Sequence, residues 1–271
     1  MIRRKFLKQG SAALLVLGSG KIIRLQNAYE KWNAAKPILR FVVASDGHYG
    51  QKDTEYVKFF SELTRKINLW HAEDPFDFCV INGDIIHDDE RYFHNAKKAL
   101  DALTVKYYVS QGNHDHCSAA NWEELWKMPV NLDFKIKKNS FLIGTTSNEK
   151  GTYLPPDINW FTKKLDEHKD QQNIFIFVHI NPVKQTKHAV DSPEFLELLS
   201  KYKNVRAVFN GHDHDTDDIK MKNDIPFIFD AHFGGNWGTD YRGFRVVELR
   251  RDNSLFTYIL NPSDKLNEQT L

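Results

Sequence analysis

The sequence predicts an α/β fold built around a mostly parallel sheet. From residue 37 onward, apolar runs rich in β-branched and aromatic residues alternate with stretches of helical periodicity, the order expected of strand–helix–strand units. Hydrophobic residues make up 41% of the 271 residues and aromatic residues 13%, which is enough to fill a sizeable core. Because no repeat, low-complexity tract or linker interrupts the pattern, we predict one domain over residues 37–271.

The first half of this pattern runs strand, helix, strand, helix, strand. Residues 38–45 form a continuous apolar run, typical of a strand that is buried on both faces. In residues 53–70 the apolar side chains recur at helical spacing behind Asp53 and Thr54, which are suitable N-cap residues. Further elements are predicted as a strand at 76–81, a helix at 93–103 and a strand at 105–110.

The second half repeats the alternation and adds shorter strands joined by turn residues. The segment 192–202 is a predicted helix with Pro193 in its first turn, where proline is favoured. A second helix is predicted at residues 158–168. Strands are predicted at residues 141–147, 173–180, 205–210, 225–230, 244–250 and 255–260.

The first twenty residues differ from the rest and have the build of an export signal. Arg3 and Arg4 form a basic head, and the run RRKFLK resembles a twin-arginine signal, although Ile2 replaces its usual hydroxyl residue. The apolar residues 10–20 are too few to span a bilayer, which takes about 20. We predict an export signal and linker over residues 1–36, a periplasmic or extracellular location, and no membrane span after signal removal. If this stretch is instead an ordinary basic helix, the protein is cytoplasmic.

The charge argues against nucleic-acid partners, and the cysteine content argues against a disulfide-based fold. The net charge is +1 and the lysines and arginines are scattered, whereas a nucleic-acid groove needs a concentrated basic surface. We therefore expect no nucleic acid polymer as partner. The two cysteines, Cys79 and Cys117, exclude a disulfide-based scaffold. The oligomeric state is not predictable from these features.

Candidate functional residues follow the carboxyl ends of five predicted strands, where ligands of open α/β sheets gather. They are Asp46 and His48, then Asp84, then Asn113, His114 and Asp115, then His179, then His212 and His214. Gly83, Gly112 and Gly211 each precede such a residue, at a point where the chain must turn sharply. Each motif alone is compatible with a polar turn, but five of them in register favour a metal site.

In this order, the motifs D-x-H, G-D, G-N-H-D, H and G-H-x-H resemble the calcineurin-like metallophosphoesterase superfamily, over roughly residues 38–250. The resemblance implies a four-layer α/β/β/α sandwich with a two-metal centre between the strand tips. The cofactors would be two divalent or trivalent transition-metal ions, and nitrogen and oxygen ligands without thiolate suit Fe, Mn or Zn.

The resemblance also implies a role for each candidate residue. One metal ion would be bound by Asp46, His48 and His214, and the other by Asn113, His179 and His212. Asp84 would bridge both ions. A metal-bound hydroxide would attack phosphorus, while His114 protonates the leaving oxygen and Asp115 orients the His114 ring.

The expected function is hydrolysis of small phosphoesters, with diesters preferred on family analogy alone and phosphomonoesters as the alternative. A metal-binding homologue without activity is a third hypothesis, which predicts lost ligands, yet every expected ligand is present.

His87 and Arg91 are candidate substrate contacts, or belong to a solvated helix start. Several aromatic residues near the motifs either wall a substrate pocket or fill the core: Tyr49, Trp122, Trp126, Trp237 and Tyr241.

Overall fold

The structure is a computed structural model that describes residues 30, 33–261 and 265–271, together with the backbone of two short strands before them. Those strands, β1 (Leu14–Val16) and β2 (Ile22–Arg24), pair in antiparallel fashion. The predicted signal motif at Arg3 and Arg4 lies outside the described residues. None of the described helices is long and apolar enough to cross a membrane.

Two six-stranded sheets form the centre of the described chain. The first sheet contains, in spatial order, β14 (Lys265–Thr270), β13 (Leu255–Leu260), β12 (Phe244–Arg250), β3 (Pro37–Ala44), β4 (Phe78–Asn82) and β5 (Tyr107–Ser110). The second contains β10 (Ile219–Lys222), β11 (Ile225–Phe229), β9 (Val205–Asn210), β8 (Asn173–Val178), β7 (Asn139–Gly144) and β6 (Leu132–Ile136). The helices are α1 (Tyr56–Glu73), α2 (Phe93–Leu100), α3 (Ala119–Trp126), α4 (Ile158–Glu167) and α5 (Pro193–Ser200), with a 3₁₀ turn at Glu90–Tyr92.

Both sheets are mixed, whereas the strand–helix alternation predicts a mostly parallel sheet. The strands β3, β4 and β5 are parallel, as are β7, β8, β9 and β11. The remaining pairings are antiparallel. Where they join consecutive strands, as with β12 and β13 or β10 and β11, the turn is too short for a parallel crossover; β12 also pairs in antiparallel fashion with the distant β3.

The sheets pack face to face and carry helices on their outer faces, which confirms the predicted four-layer sandwich. Along β3 the side chains alternate, so Phe41 and Val43 enter the layer between the sheets, and Val42 and Ala44 pack under α1, α2 and α3. The helices α4 and α5 cover the outer face of the second sheet. Six buried rings dominate the layer between the sheets: Phe41, Phe78, Phe141, Phe175, Phe177 and Phe209. Each buried ring stabilises the fold by about 1.5–3 kcal/mol, so this layer fixes how the two sheets meet.

Candidate metal centre

The predicted site residues come together at one edge of the sandwich, where parallel strands of both sheets end. The first sheet supplies Asp46 and His48 after β3, Asp84 after β4, and Asn113 and His114 after β5. The second sheet supplies His179 after β8, and His212 and His214 after β9. The site is therefore built from the tips of five strands that belong to two sheets, at the edge where α/β proteins gather ligands.

Four of these residues have a left-handed backbone, which is uncommon for residues with side chains. The φ angles are 60° at Asp46, 47° at His48, 50° at Asp84 and 68° at His212. Neighbouring turns hold them: the Asp46 N–H donates to Gly83 O at 3.1 Å and the His48 N–H donates to Asp84 O at 2.9 Å. Because such conformations cost on the order of 1–3 kcal/mol each and tend to cluster at functional sites, their presence at four of the candidate residues supports this strand edge as a functional site.

The first buried group contains Asp46, His48 and His214. Nε2 of His214 lies 3.1 Å from Asp46 Oδ1, and Nε2 of His48 lies 3.0 Å from Nε2 of His214. Two imidazole nitrogens that face each other so closely, beside a carboxylate, have the donor chemistry of a transition-metal site. The backbone carbonyl of Trp237 lies 3.2 Å from Nδ1 of His214, so Nδ1 can donate there and leave Nε2 free to bind a cation.

The second group contains Asp84 and His179, which are buried, and His212, which is partly buried. Nδ1 of His179 lies 2.7 Å from the carbonyl of Asn82, and its Nε2 lies 3.1 Å from Asp84 Oδ2. Two further atoms, Nε2 of His212 and Oδ1 of Asn113, are buried without a hydrogen-bond partner. A buried polar atom without a partner is costly, and both atoms belong to predicted ligands. The residues present therefore fit a metal ion.

Asp84 lies between the two groups. Its Oδ2 is 3.1 Å from Nε2 of His179 in the second group and 3.7 Å from Nε2 of His48 in the first. Its Oδ1 accepts the backbone N–H of His114 at 2.8 Å. Asp84 thus faces both groups, which is the position that a bridging ligand requires. Asp46 faces both almost as closely, with Oδ1 at 3.1 Å from Nε2 of His214 and 3.8 Å from Nε2 of His179.

The charges of the two carboxylates are held by neighbouring imidazoles. Burial alone would raise the pKa of the Asp46 carboxyl, but His214 and His179 outweigh burial and hold this pKa below its usual range. The pKa of Asp84 is likewise held well below its usual range, since His179 and His48 overcome the effect of burial. Both groups are therefore anionic near neutral pH.

The imidazoles divide into two kinds. Burial holds the pKa of His48 well below its usual range and, helped by the charge of His179, lowers the pKa of His212 to about 4. These two rings are neutral near pH 7 and have a lone pair available for a metal. Burial also opposes the charge of His179, but Asp84 and Asp46 raise its pKa to about 10. The protonated ring of His179 thus places positive charge beside the carboxylates of Asp84 and Asp46.

Comparison with known proteins agrees with this geometry. A family model described as calcineurin-like phosphoesterase matches residues 39–216, well over half of the chain. The chain belongs to the calcineurin-like phosphoesterase family. It is therefore a hydrolase of phosphoric esters, as the sequence predicts. The family is generally metal-dependent, in keeping with the His and Asp groups described above.

Two relatives and one solved structure illustrate the similarity. A probable cyclic nucleotide phosphodiesterase from Coxiella burnetii is 25% identical over 191 residues, which cover 65% of this chain and 76% of the relative. A probable glycerophosphodiester phosphodiesterase from Arcobacter nitrofigilis is 27% identical over 158 residues, which cover 51% of this chain and 56% of the relative. The crystal structure of a dimetal phosphatase from Danio rerio aligns with a TM-score of 0.69 at 14% identity, over 87% of this chain and 99% of that one. This last likeness shows the fold.

His114 lies beside the phosphoesterase centre, but its carboxylate partner is not the predicted one. Nδ1 of His114 is 2.7 Å from Oδ1 of Asp88. The two oxygens of Asp115 accept the backbone N–H groups of Ile86 and Gly112, each at 2.9 Å. Burial and the nearby Asp84 raise the pKa of Asp115 to about 7. The position expected of Asp115 is thus occupied by Asp88, and Asp115 instead holds two turns together.

The two candidate substrate contacts have different surroundings. Nδ1 of His87 lies 3.0 Å from Nδ1 of His48, and its ring stacks on that of His114 with 4.8 Å between the centroids. His87 is therefore at the centre. Arg91, whose side chain is 84% exposed, pairs with Asp89 within the 3₁₀ turn, so the structure does not bring it to the other site residues.

The aromatic residues near the motifs divide between core and site. Tyr49, Trp122 and Trp126 are buried in the layer under α1, α2 and α3. Trp237 is 42% exposed and stacks on the ring of His214. Tyr153, which the sequence patterns do not single out, is 41% exposed and meets the His212 ring edge-on at 5.0 Å. Sequence separation hides both contacts, since neither aromatic residue is near its histidine in the chain.

Proposed function

We propose that this phosphoesterase is a two-metal hydrolase of small phosphoric diesters. The observation that carries the proposal is the pair of adjacent His and Asp groups, with Asp84 of the second group facing the first as well. One metal ion would be held by Asp46, His48 and His214, and the other by Asn113, His179 and His212. When bound, two such ions polarise a phosphoryl oxygen and activate water near neutral pH; Fe, Mn and Zn all suit these ligands.

The chain's own residues would handle the proton and the leaving group. His114 is partly exposed and lies next to Asp84. Its backbone N–H donates to Asp84 Oδ1 at 2.8 Å. Asp88 would fix the His114 ring through Nδ1, leaving Nε2 to deliver a proton to the departing oxygen. His87, stacked on His114 and bonded to His48, would limit the positions open to the ester.

The preference for diesters over monoesters rests on the two relatives, both named as probable phosphodiesterases. A small substrate is favoured because the net charge of +1 offers no electrostatic track for a polyanion. A phosphomonoesterase is the second candidate, since both classes use the same ligands and the same acid.

The test compares bis-p-nitrophenyl phosphate with p-nitrophenyl phosphate after the bound metals have been counted by mass spectrometry. We expect about two metal ions per chain and a kcat/KM at least about tenfold higher for the diester. Asp84→Ala, prepared identically, controls for a contaminating hydrolase. A tenfold preference for the monoester would replace the diesterase with the monoesterase, whereas inactivity of fully metallated protein on both esters would contradict both candidates.

We also propose that residues 1–36 direct export through the twin-arginine route, leaving residues 37–271 as the catalytic domain. The support is the RRKFLK run at the start of the chain. Replacing Arg3 and Arg4 with lysine keeps the charge and removes the receptor-read pair, so periplasmic recovery should fall sharply. Unchanged recovery of the double variant would contradict this route.

A further inference from the structure

Trp237 presents an exposed aromatic surface at the edge of the metal centre. Its ring lies parallel to that of His214, with 4.3 Å between centroids and 9° between planes. His214 in turn stacks on His232 at 4.8 Å and 18°. Three rings thus form one stack that ends at the indole. His214 covers one face of the indole, yet Trp237 is still 42% exposed. The solvent-exposed part of the indole is therefore on the side that does not contact His214.

The segment that carries Trp237 is held firmly against His214. Gly238 has a φ of +113°, and a Cβ there would overlap the Cβ of His214; a Cβ on Gly235 would lie 3.0 Å from the His214 ring. The backbone N–H of Thr239 donates to His214 O at 3.0 Å, and Arg242 donates to Gly235 O at 2.7 Å. The close approach needs the two glycines, and the bonds on both sides of Trp237 keep the indole in one place.

A fixed, exposed indole at a reaction centre is suited to hold a planar aromatic group. Burying the indole against a flat ring gains apolar area and stacking, and fixed aromatic residues use this interaction to bind bases. A cationic headgroup is disfavoured here. The rings closest to Trp237 are those of His214, His48 and His87, with centroids at 4.3, 4.8 and 6.3 Å, and metal ions held by His214 and His48 would supply positive charge there.

We propose that Trp237 is a stacking platform for the base of a nucleoside phosphodiester, and that it makes nucleoside esters the preferred substrates. This inference rests on the proposed function, because the ester must reach the metal centre for the base to reach Trp237. The phosphate would lie at Asp84 and His114, and the base would extend the stack of His232, His214 and Trp237 by one more ring.

The experiment uses two diesters with the same scissile bond: the methyl ester of a nucleoside 5′-monophosphate and the methyl ester of ribose 5-phosphate, which lacks the base. The measured quantity is the ratio of their kcat/KM values. We expect a ratio of about fivefold to a hundredfold in favour of the nucleoside ester for the native chain. Trp237→Leu should bring the ratio close to one, and Trp237→Phe, which keeps a ring, should retain most of it.

Tyr153→Leu is the matched control, since Tyr153 is equally exposed and borders His212 instead of His214. It should leave the ratio unchanged, and metal content should be the same in all variants. The ratio separates stacking from any disturbance of His214, because a displaced ligand slows both esters alike. An unchanged ratio in Trp237→Leu, or its loss in Tyr153→Leu, would overturn the inference.

Failure of this inference is distinguishable from failure of the proposed function. If the native, metallated chain hydrolyses both methyl esters with a ratio near one, the diesterase stands and the platform does not. If it hydrolyses neither, the diesterase proposal fails and the platform fails with it. Quenching of tryptophan fluorescence by the nucleoside monophosphate, but not by ribose 5-phosphate, gives an independent readout; this quenching should be lost in Trp237→Phe.

Discussion

At the residue scale, Asp84 is the side chain through which the two ligand groups meet. Its Oδ2 lies 3.1 Å from Nε2 of His179 and 3.7 Å from Nε2 of His48, so it faces both groups. Asp46 also faces both, with Oδ1 at 3.1 Å from His214 and 3.8 Å from His179. Mutating a residue that only hydrogen-bonds a metal ligand lowers metal affinity by roughly 10–100-fold. Asp84→Ala removes a ligand itself, so its metal affinity should fall further, and turnover should disappear with the metal. Metal counting and kinetics on the same samples measure both effects.

Asp84→Asn is the conservative control for that change, because it keeps the shape and one acceptor oxygen but removes the charge. It should retain part of the metal and part of the turnover. An Asp84→Ala variant that keeps two metal ions and full activity would show that Asp84 is not a bridging ligand.

The acid–base residues should behave differently from the ligands. His114→Ala should keep the metal ions and lower kcat by about 10²–10⁴-fold, as expected when a positioned proton donor is lost. Asp88→Asn should lower kcat less, since Asp88 positions the His114 ring at 2.7 Å and does not itself donate the proton. Loss of metal in His114→Ala would mean that His114 is itself a ligand.

A double-mutant cycle tests the link between Asp88 and His114. If Asp88 acts through His114, then Asp88→Asn should change little in a chain that already carries His114→Ala, so the two effects should not add. Asp115→Asn is the comparison: because the two Asp115 oxygens accept the N–H groups of Ile86 and Gly112 separately, it leaves one of these N–H groups without its acceptor and should lower stability. Full additivity of the Asp88 and His114 effects would contradict the positioning role.

At the element scale, the site depends on how closely the tip of β9 approaches the tip of β3. A Cβ on Gly211 would overlap Ser45 Oγ and lie 2.7 Å from Asp46 Oδ2. We expect Gly211→Ala to push Asp46 aside, weaken metal binding at least about tenfold, and destabilise the fold by about 1–3 kcal/mol. Metal titration and thermal unfolding measure the two effects separately.

Gly144→Ala is the matched control for the strand-tip prediction, because Gly144 ends β7 of the same sheet and its added Cβ would meet only the Phe161 ring within 3 Å. It should cost similar stability without changing metal affinity. Equal metal affinity in Gly211→Ala and Gly144→Ala would show that the approach of β9 to β3 does not shape the centre.

Elements with strong apolar patterns were predictable from sequence, and weakly patterned ones were not. The buried runs at 38–45 and 205–210 correspond to β3 and β9. By contrast, β14 reads KLNEQT and is mostly exposed, because an edge strand needs only backbone hydrogen bonds to pair with β13. Helix α3 has only eight residues, and its two tryptophans read equally well as pocket walls until the packing shows them buried.

The order of motifs brought the predicted ligands to one place, but it could not show which carboxylate meets His114. That contact depends on the turn after Asp84, where Asp88 adopts a left-handed backbone with φ of 63° and its N–H donates to His114 O at 3.0 Å. The contact of Trp237 with His214 was equally hidden, because it arises from a glycine-rich segment that packs against His214. The strand order predicts that these residues meet at one edge of the sheets, but the local sequence does not predict the turn conformations that decide which side chains touch.

At the scale of the whole molecule, the centre links two sheets that otherwise meet through an aromatic layer. The proposed ligands from the first sheet are Asp46, His48, Asp84 and Asn113, and those from the second are His179, His212 and His214. A metal ion bound by both sets is a cross-link between the sheets. Metal occupancy should therefore contribute to the stability of the fold as well as to its chemistry.

Removing the metal ions with a chelator should lower the melting temperature without unfolding the protein at room temperature. An ion at about a hundred times its dissociation constant stabilises a folded chain by about 2.7 kcal/mol, so two ions correspond to a fall of about 10 °C. The chain should remain folded because the phenylalanine layer stays intact and because the charged ring of His179 still pairs with Asp84 at 3.1 Å. Asp84→Ala should start from a lower melting temperature and respond little to the chelator. If the melting temperature of the native chain is unchanged after complete, verified metal removal, the metal centre does not stabilise the packing of the two sheets.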